Sequence, residues 1–480
     1  MRFVSKKQLL WILGLFLATR LIFVTTFNWF NGPYHHEMVL YQFLIADAKW
    51  HGHDFAYDRN FIGPLVQKSE ATHRTIPIEE FDQFERNPHW ERFPARDLPG
   101  YGYLIYYTSK LFGDKLSSRY AFAIQIGLEL ASLLLFVSCV STLLSPGTAF
   151  LFALVYLIGF PFIQLIAGQA IRDMFGVFIY ALLTWTLSYF AFARKLPRSF
   201  YPMAGAIISL SAALLWFRPG AYYYFVLVAG VAVLAFRRRW WERAVFAAAV
   251  LVASQVFFSL PFADFNQRHY GVRDTKFIAW GLWGGLGTVK DNPYGFVFGD
   301  RDLLAWAKNR IPDPNLQLGD IRINQLAWDY AIGVLKKDPL LFFKAVWARA
   351  GMLATTPLSF DYWQSLVWRG PTGLSPWEYI QAHPRDFLHY GFRIYGRVFF
   401  YSALACLLGM VIWSYRRGRD PVFLCILTLP LAYHLVQFFL YIPERRHFLS
   451  GAWVLCLPLA WALDQALHRL RSRRANVEKA

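Results

Sequence analysis

Charge is scarce in this 480-residue chain: only 17% of its residues are Asp, Glu, Lys or Arg. Acid is scarcer than base, with 31 Asp and Glu against 49 Lys and Arg. Cysteine is rarer still. The four, Cys139, Cys406, Cys425 and Cys456, all fall inside apolar runs without a CxxC spacing. That excludes a disulfide framework and a cysteine-built zinc site, and leaves the thiols as packing residues. The glycine-rich WGLWGGLGTVKDNPYG (280–295) is followed by no GK[ST] and has no Rossmann spacing, so nothing reads as an ATPase or nucleotide domain. Its glycines are expected to form tight turns near a membrane. There is no short-period repeat and no low-complexity tract.

What the chain has is apolar surface: 56% hydrophobic residues, 19% aromatic, and a mean hydropathy of +0.30. Repeated long apolar runs of this kind define a polytopic membrane protein. A spanning helix needs about 20 residues at about 1.5 Å each. Ten segments qualify, near 8–30, 119–143, 147–167, 174–193, 200–217, 220–236, 243–262, 395–415, 421–441 and 448–467. The first reads as a retained helix rather than a signal peptide, because Arg20 interrupts it and no small-x-small cleavage site follows.

The net charge of +18 then reports topology rather than nucleic-acid binding. With the N-terminus inside, the inner connections and ends collect eighteen Lys and Arg, against four in the short outer loops: Arg172, Arg218, Arg445 and Arg446. Both termini are expected to be cytoplasmic. The chain divides into an N-terminal membrane module (1–262) with a first outer loop (31–118), a second outer loop (263–394), and a C-terminal membrane module with a basic tail (395–480). Within the second loop, DPLLFFKAVWARAGMLATTP (338–357) carries Lys344 and Arg349 in an apolar run and is expected to lie at the interface. A further pair of spans is the alternative.

The densest chemistry follows the first span. GPYHHEMVLYQFLIADAKWHGHDF (32–55) holds Glu37, Asp47, Asp54 and four histidines. The stretch 36–50 lacks Pro and Gly and reads as a helix that places Glu37, Tyr41, Leu44 and Ala48 on one face. A carboxylate there can act as a base on an acceptor hydroxyl, or merely favour the helix dipole. Asp47, ten residues on, is expected to be solvated or salt-bridged. Arg20, inside the first span, calls for a partner, and Glu129 in the second is the candidate. Three outer sites pair acid with base: Arg96 and Asp97 ahead of Lys110, Arg172 with Asp173, and Glu444, Arg445 and Arg446 with His447. Arginine forks suit phosphate, so these sites point to a phosphate-bearing lipid substrate or, more simply, to interfacial salt bridges.

In order and spacing the chain resembles the GT-C membrane glycosyltransferases that use polyprenyl-phosphate sugars, among them protein mannosyltransferase-like and lipid A aminoarabinose transferase-like enzymes. Arg20 lies in the first span before a large outer loop. His36-Glu37 followed by Tyr41 is similar to a D-E-x-x-x-Y motif. LPGYGYLIYYTSKLFG is similar to the family's Pro-rich stretch ending LFG. GFPFIQLIAGQAIRDMFGVFIYALL looks like the segment with the second outer acid, here Asp173. The 280–295 stretch, with Asn292, is similar to GLG…N-x-G, and PERRHFLSGAWVLCLPLAWAL to the E-x-R-Y-L-L-P lead-in to the last span.

The resemblance implies an all-α GT-C-like bundle of about ten transmembrane helices with two large outer loops containing interfacial helices, in a bacterial inner membrane. It implies Glu37 as the catalytic or metal-positioning acid. His36 stands where the family often has Asp, which leaves Asp97 and Asp173 open as the base. Arg20, Arg172, Lys110, Glu444, Arg445, Arg446 and Asn292 are the expected substrate-binding set. No cofactor is fixed; a divalent metal at Glu37, His36 or Asp173 stays open. The implied partners are a polyprenyl-phosphate sugar donor, a lipid, glycan or protein acceptor and membrane lipids, without nucleic acid. The rival functions are a lipid-linked glycan transporter or flippase, with Arg20, Glu129, His434 and Asp464 as its polar pathway, an O-antigen polymerase or ligase, and a non-catalytic scaffold.

Overall fold

A computed structural model describes residues 4–27, 37–58, 89–92, 98–113, 115–161, 172–193, 195–273, 278–297, 300–313, 316, 320–355, 357–358, 387–440 and 445–477. Helix α1 (Lys6–Phe27) opens the chain and α2 (Glu37–Trp50) follows. Strands β1 (Ala56–Asp58) and β2 (Trp90–Arg92) pair antiparallel with Ala56 opposite Arg92, a small ribbon that the sequence pattern did not announce. Then come α3 (Gly100–Phe112), α4 (Arg119–Leu143), α5 (Pro146–Gly159), α6 (Asp173–Phe192), α7 (Phe200–Ala213) and α8 (Tyr222–Val233). Helix α9 (Trp240–Ser254) passes through a π-helical turn, Gln255–Ser259, into α10 (Leu260–Tyr270). The indole of Trp216 donates to the Phe257 carbonyl in that turn, at 3.1 Å. The long segment between membrane modules carries α11 (Ile278–Leu286), α12 (Asp300–Lys308), α13 (Ile321–Lys337) and α14 (Leu340–Thr355). The chain closes with α15 (Phe387–Arg416), α16 (Val422–Leu440), α17 (Arg445–Ala452) and α18 (Cys456–Val477).

Six helices among the described residues are long and apolar enough to cross a membrane, and three shorter apolar helices accompany them: Pro146–Gly159, Phe200–Trp216 and Pro219–Val233. The six fall on six of the ten expected segments, and the shorter helices and α1 on the other four. This is a multi-pass membrane protein. All four cysteines carry free thiols.

The basic clusters do structural work. Arg238 donates to the Phe190 and Ala193 carbonyls at the end of α6, Arg243 to Val233 at the end of α8 (2.8 Å), and Arg419 to Leu143 at the end of α4 (3.4 Å). Each places a cation on a helix C-terminus, where the backbone dipole and orphan carbonyls favour it. On the same face Asp464 accepts from Ser145 Oγ (2.9 Å) and Thr148 Oγ1 (2.6 Å) at the start of α5. Gly147 makes room, since a Cβ there would lie 2.8 Å from the Asp464 carboxylate.

Helices α11 to α14 build a separate aromatic core around Trp283, Phe296, Trp306 and Tyr330. The expected glycine turns are corrected here. Gly281, Gly284 and Gly285 lie within α11, because flanking Trp and Leu side chains at helical spacing hold the helix despite the glycine penalty. Only after it does Gly295 take a left-handed φ of 74°. Helix α14 falls on the segment expected to be an interfacial helix. It buries Leu341, Ala345, Arg349 and Leu353 at i,i+4 spacing and exposes Leu340, Phe343 and Trp347.

Candidate functional site

Opposite the basic face, four segments meet. Asp173 is the first residue of α6, with Arg172 as its cap, and both are buried. Arg218, in the turn before Pro219, brings Nη2 to 2.8 Å from Asp173 Oδ1, with 7% and 1% of the two side chains exposed. Gly176, one turn along α6, supplies the slot: a Cβ there would lie 3.1 Å from Arg218 Cγ. Phe217 stacks on Phe175 at 4.3 Å and locks the two segments together. Among the described residues, Arg172, Asp173 and Arg218 thus bring two buried arginines and a buried carboxylate into a site largely withdrawn from solvent, and arginine is the side chain suited to binding an anion.

The start of α3 presses against the same place. A Cβ on Gly100 would lie 2.5 Å from the Trp216 carbonyl, and Tyr101 meets Phe175 edge-on at 5.9 Å while its hydroxyl donates to Gln125. Helix α2 packs on α3 at Gly102, whose N–H donates to Gln42 Oε1 at 3.0 Å. Glu37 opens α2, five residues or about 7.5 Å of helix before Gln42. The Glu37 side chain lies outside the described residues, as do His36, Asp97 and Glu444. Arg445 and Arg446 begin α17, and their side chains are likewise outside the description.

Beneath the cluster is a polar aromatic layer. The Gly220 carbonyl accepts from the Tyr433 hydroxyl and from Gln437 Nε2 (3.3 Å), and Gln437 also donates to Tyr433 (2.6 Å). Thr184 and Tyr224 share a 2.6 Å hydrogen bond, and His434 sits edge-on to Tyr180 at 5.0 Å. Helix α16 therefore forms the floor.

Other residues singled out from the sequence fall elsewhere. Arg20 binds Glu129 in two contacts, Nε to Oε2 at 2.8 Å and Nη2 to Oε1, and the Tyr156 hydroxyl donates to Oε1 at 3.0 Å. The expected Arg20–Glu129 pairing is present. With Asp464 accepting from the Ser145 and Thr148 hydroxyls and His434 packed among tyrosines, the four groups of the supposed polar pathway are each held in a structural contact. Asn292 ties the loop after α11, donating to Val289 (3.0 Å) and Phe296 (2.7 Å) carbonyls and accepting from the Phe296 N–H (3.0 Å). Lys110 is exposed, with its ammonium 5.7 Å from the Tyr106 ring centroid. It lies nine residues, about 13.5 Å, along α3 from Tyr101. Of the two alternatives expected for Asp47, solvation and a salt bridge, the structure shows the second: it is 2% exposed, with Oδ1 3.5 Å from His51 Nδ1 one turn along α2.

His53 stacks on Trp90 at 4.3 Å. Nearby, Lys49 contacts Asp54 at 2.8 Å and Tyr103 donates to the same carboxylate. Partial burial pushes the Asp54 carboxyl upward, but the hydrogen bonds from Lys49 and Tyr103 outweigh it and hold it below its ordinary value. Among the described residues no three His, Cys, Asp or Glu gather as a metal-holding group. Of the three groups left open for a divalent metal, only the Asp173 side chain is described, and a cation, Arg218, already engages it. That does not fit a metal ligand, and no step below uses one.

Arg218 was missed as a site residue. Its signal was an arginine isolated in WFRPG between two apolar runs, and it was counted only as loop charge.

The class these features define is a helical membrane bundle with a buried acid–base cluster at one end and a helical insertion that packs on α16. The fold is similar to that of a solved oligosaccharyltransferase. It aligns with the crystal structure of the Archaeoglobus fulgidus oligosaccharyltransferase tethered to an acceptor peptide containing the NVT sequon, over 97% of this chain, at a TM-score of 0.51 and 14% identity. It also aligns with the Archaeoglobus fulgidus enzyme in complex with an inhibitory peptide and a dolichol-phosphate, at 0.46 and 13% over 98% of this chain. The chain spans about half the length of these enzymes, 50% and 52%. Neither a family model nor a curated protein sequence matches it.

Proposed function

We propose that the protein is a membrane glycosyltransferase. It takes a sugar from a polyprenyl-phosphate donor and passes it to an acceptor at the outer, periplasmic face of a bacterial inner membrane, with both termini in the cytoplasm. The observation that supports this most is the buried Arg172–Asp173–Arg218 cluster, which stands beside the helix opened by Glu37 in a GT-C-like fold.

The donor lies with its tail among the spans and its phosphate at the cluster. Arg172, joined by Arg445 and Arg446 from the start of α17, holds the phosphate. An acceptor oxygen attacks the anomeric carbon as the bond from that carbon to the phosphate oxygen breaks. The electron pair leaves with the phosphate, where the guanidiniums offset the growing charge. Glu37 takes the acceptor's proton. Asp173, engaged by Arg218, holds the arginines in place, and Asp97 is the alternative base. Inversion at the anomeric carbon is the expected outcome, and the insertion over the site excludes water that would hydrolyse the donor. The acceptor peptide of the oligosaccharyltransferase makes a peptide one acceptor to include.

The test is sugar transfer from a panel of polyprenyl-phosphate sugars by the purified protein in nanodiscs. Acceptor extracts and peptides are supplied, with and without EDTA. Glu37→Gln should lower turnover at least about 100-fold, the usual scale for a general base. Activity that survives Glu37→Gln but is lost in Asp173→Asn would move the base to Asp173. No donor consumption by folded wild-type protein would refute the reading.

A further inference from the structure

Among the described residues of the insertion Arg349 is the most deeply buried charge, with 0% exposure. Its Nε donates to the Gly285 carbonyl at the end of α11 (3.2 Å), and its Nη1 to the Phe439 carbonyl at the end of α16. Its Nη2 is buried without a hydrogen-bond partner, and no carboxylate lies within ion-pair distance among the described residues. Two neutral carbonyls and a helix C-terminus offset only part of a full positive charge. A buried cation ordinarily has an anion opposite it. A side chain needed only to bridge two carbonyls could be neutral; a guanidinium is the group whose planar fork matches phosphate.

Position narrows the anion. Gln437, on the floor of the Arg172–Asp173–Arg218 cluster, stands two residues before Phe439 on α16, about 3 Å of helix. Arg349 is therefore at the same end of the bundle as that site, against the end of the helix that floors it. The opposite face of α14 exposes Leu340, Phe343 and Trp347 at 64%, 66% and 81%. Aromatic residues of this kind seat a helix at the depth of lipid headgroups. Burial without an opposing carboxylate also pulls the guanidinium down to about 10, a penalty that an anion would remove.

We infer that Arg349 forms part of a lipid-phosphate site, binding the phosphate of the polyprenyl carrier beside the α16 end. This rests on the glycosyltransferase reading and adds a residue to its donor site. The phosphate chemistry alone would also accept a phospholipid or the free ion, so the test separates them.

The full-length protein in nanodiscs is titrated with polyprenyl phosphate, with inorganic phosphate, or with added phosphatidylglycerol, and thermal stabilisation is read for wild type, Arg349→Lys, Arg349→Gln and Arg349→Met. Polyprenyl phosphate should stabilise wild type, bind about 10-fold or more weakly to Arg349→Met and Arg349→Gln, and give an intermediate result for Arg349→Lys, consistent with loss of a charged hydrogen bond. The other two ligands should not discriminate between the variants. Gln keeps a donor for one carbonyl, so a folded Arg349→Gln carries the test if Met does not fold. Equal stabilisation of wild type and a folded variant would overturn the role of Arg349. A phosphatidylglycerol response that depends on Arg349 and matches that of polyprenyl phosphate would overturn its assignment to the carrier. Absence of any polyprenyl-phosphate effect on wild type would instead overturn the donor reading itself.

Discussion

Removing one partner of the Arg20–Glu129 pair should strand a charge inside the bundle. The two residues are 6% and 0% exposed, two contacts join them, and Tyr156 adds a hydrogen bond to Glu129 at 3.0 Å. Breaking a buried pair by deleting one member costs about 3–5 kcal/mol, whereas replacing both with apolar residues is close to neutral. Arg20→Met and Glu129→Leu should therefore each lose about 3–5 kcal/mol, while the double variant stays within about 2 kcal/mol of wild type. Glu129→Leu should be the worse single change, because a stranded guanidinium cannot shed its proton and a stranded carboxyl can. Tyr156→Phe should lose about 1.5–3 kcal/mol, the scale of a hydrogen bond to a charged group. The assay is reversible unfolding by SDS titration in mixed micelles, read by tryptophan fluorescence. A double variant as unstable as the worse single one would refute the reasoning, as would a Glu129→Leu protein within about 1 kcal/mol of wild type.

The substituted pair at the site should behave in the opposite sense. Asp173→Asn with Arg218→Gln should fold as well as either single variant yet transfer sugar at least about 100-fold more slowly, since the arginines lose their orientation; near-normal transfer would remove the cluster from the mechanism. Gly102→Ala puts a Cβ 2.7 Å from the Gln42 carbonyl and from Ile45, so it should destabilise the α2–α3 packing by about 1–3 kcal/mol, while Gly127→Ala, with nothing within 4 Å, should be neutral or better in the same SDS titration. The Asp54 carboxyl is held below its ordinary value of 3.8, so its contribution is complete above that value and lost as pH falls through the lower folded value. Protection factors around 49–58 and α3, corrected for intrinsic exchange, should therefore fall below about pH 4 in wild type and be low at every pH in Asp54→Asn. A wild-type profile that is flat with pH would show that the Lys49–Asp54–Tyr103 contacts do not hold this segment.

The helices were legible because a span must satisfy its backbone internally and keep its surface apolar for about 20 residues, a pattern visible in one dimension. Even the Arg20–Glu129 pair could be anticipated, since a charge within a span demands an opposite charge in a neighbouring one. Other features were set by tertiary packing. The β1–β2 ribbon joins residues more than thirty positions apart, Asp47 is buried by what folds over α2, and the α11 glycines are held helical by Trp283 and its neighbours. Arg218 was hidden for the same reason. Its partner, Asp173, is 45 positions away across two helices, and no local spacing connects them.

The two faces of the bundle use arginine differently, and that contrast bears on function. On the basic face Arg238, Arg243 and Arg419 are bound to helix C-termini, and Arg237 to Asp420 at 3.2 Å. Those residues are partly or well exposed, so water shares in offsetting their charge. Across the membrane, Arg172, Arg218 and Arg349 are all buried within a tenth of full exposure. Topology alone would place arginine on the basic face and needs none withdrawn from water on the other. Burial there carries a solvation penalty that Asp173 offsets for Arg218 and that no carboxylate among the described residues offsets for Arg349. Among the described residues, a buried guanidinium with no carboxylate in ion-pair reach, Arg349, at the same end of the bundle as the helix that begins with Glu37, is the arrangement expected where an anionic group completes the charge balance. An uncharged solute or a cation would gain nothing from it.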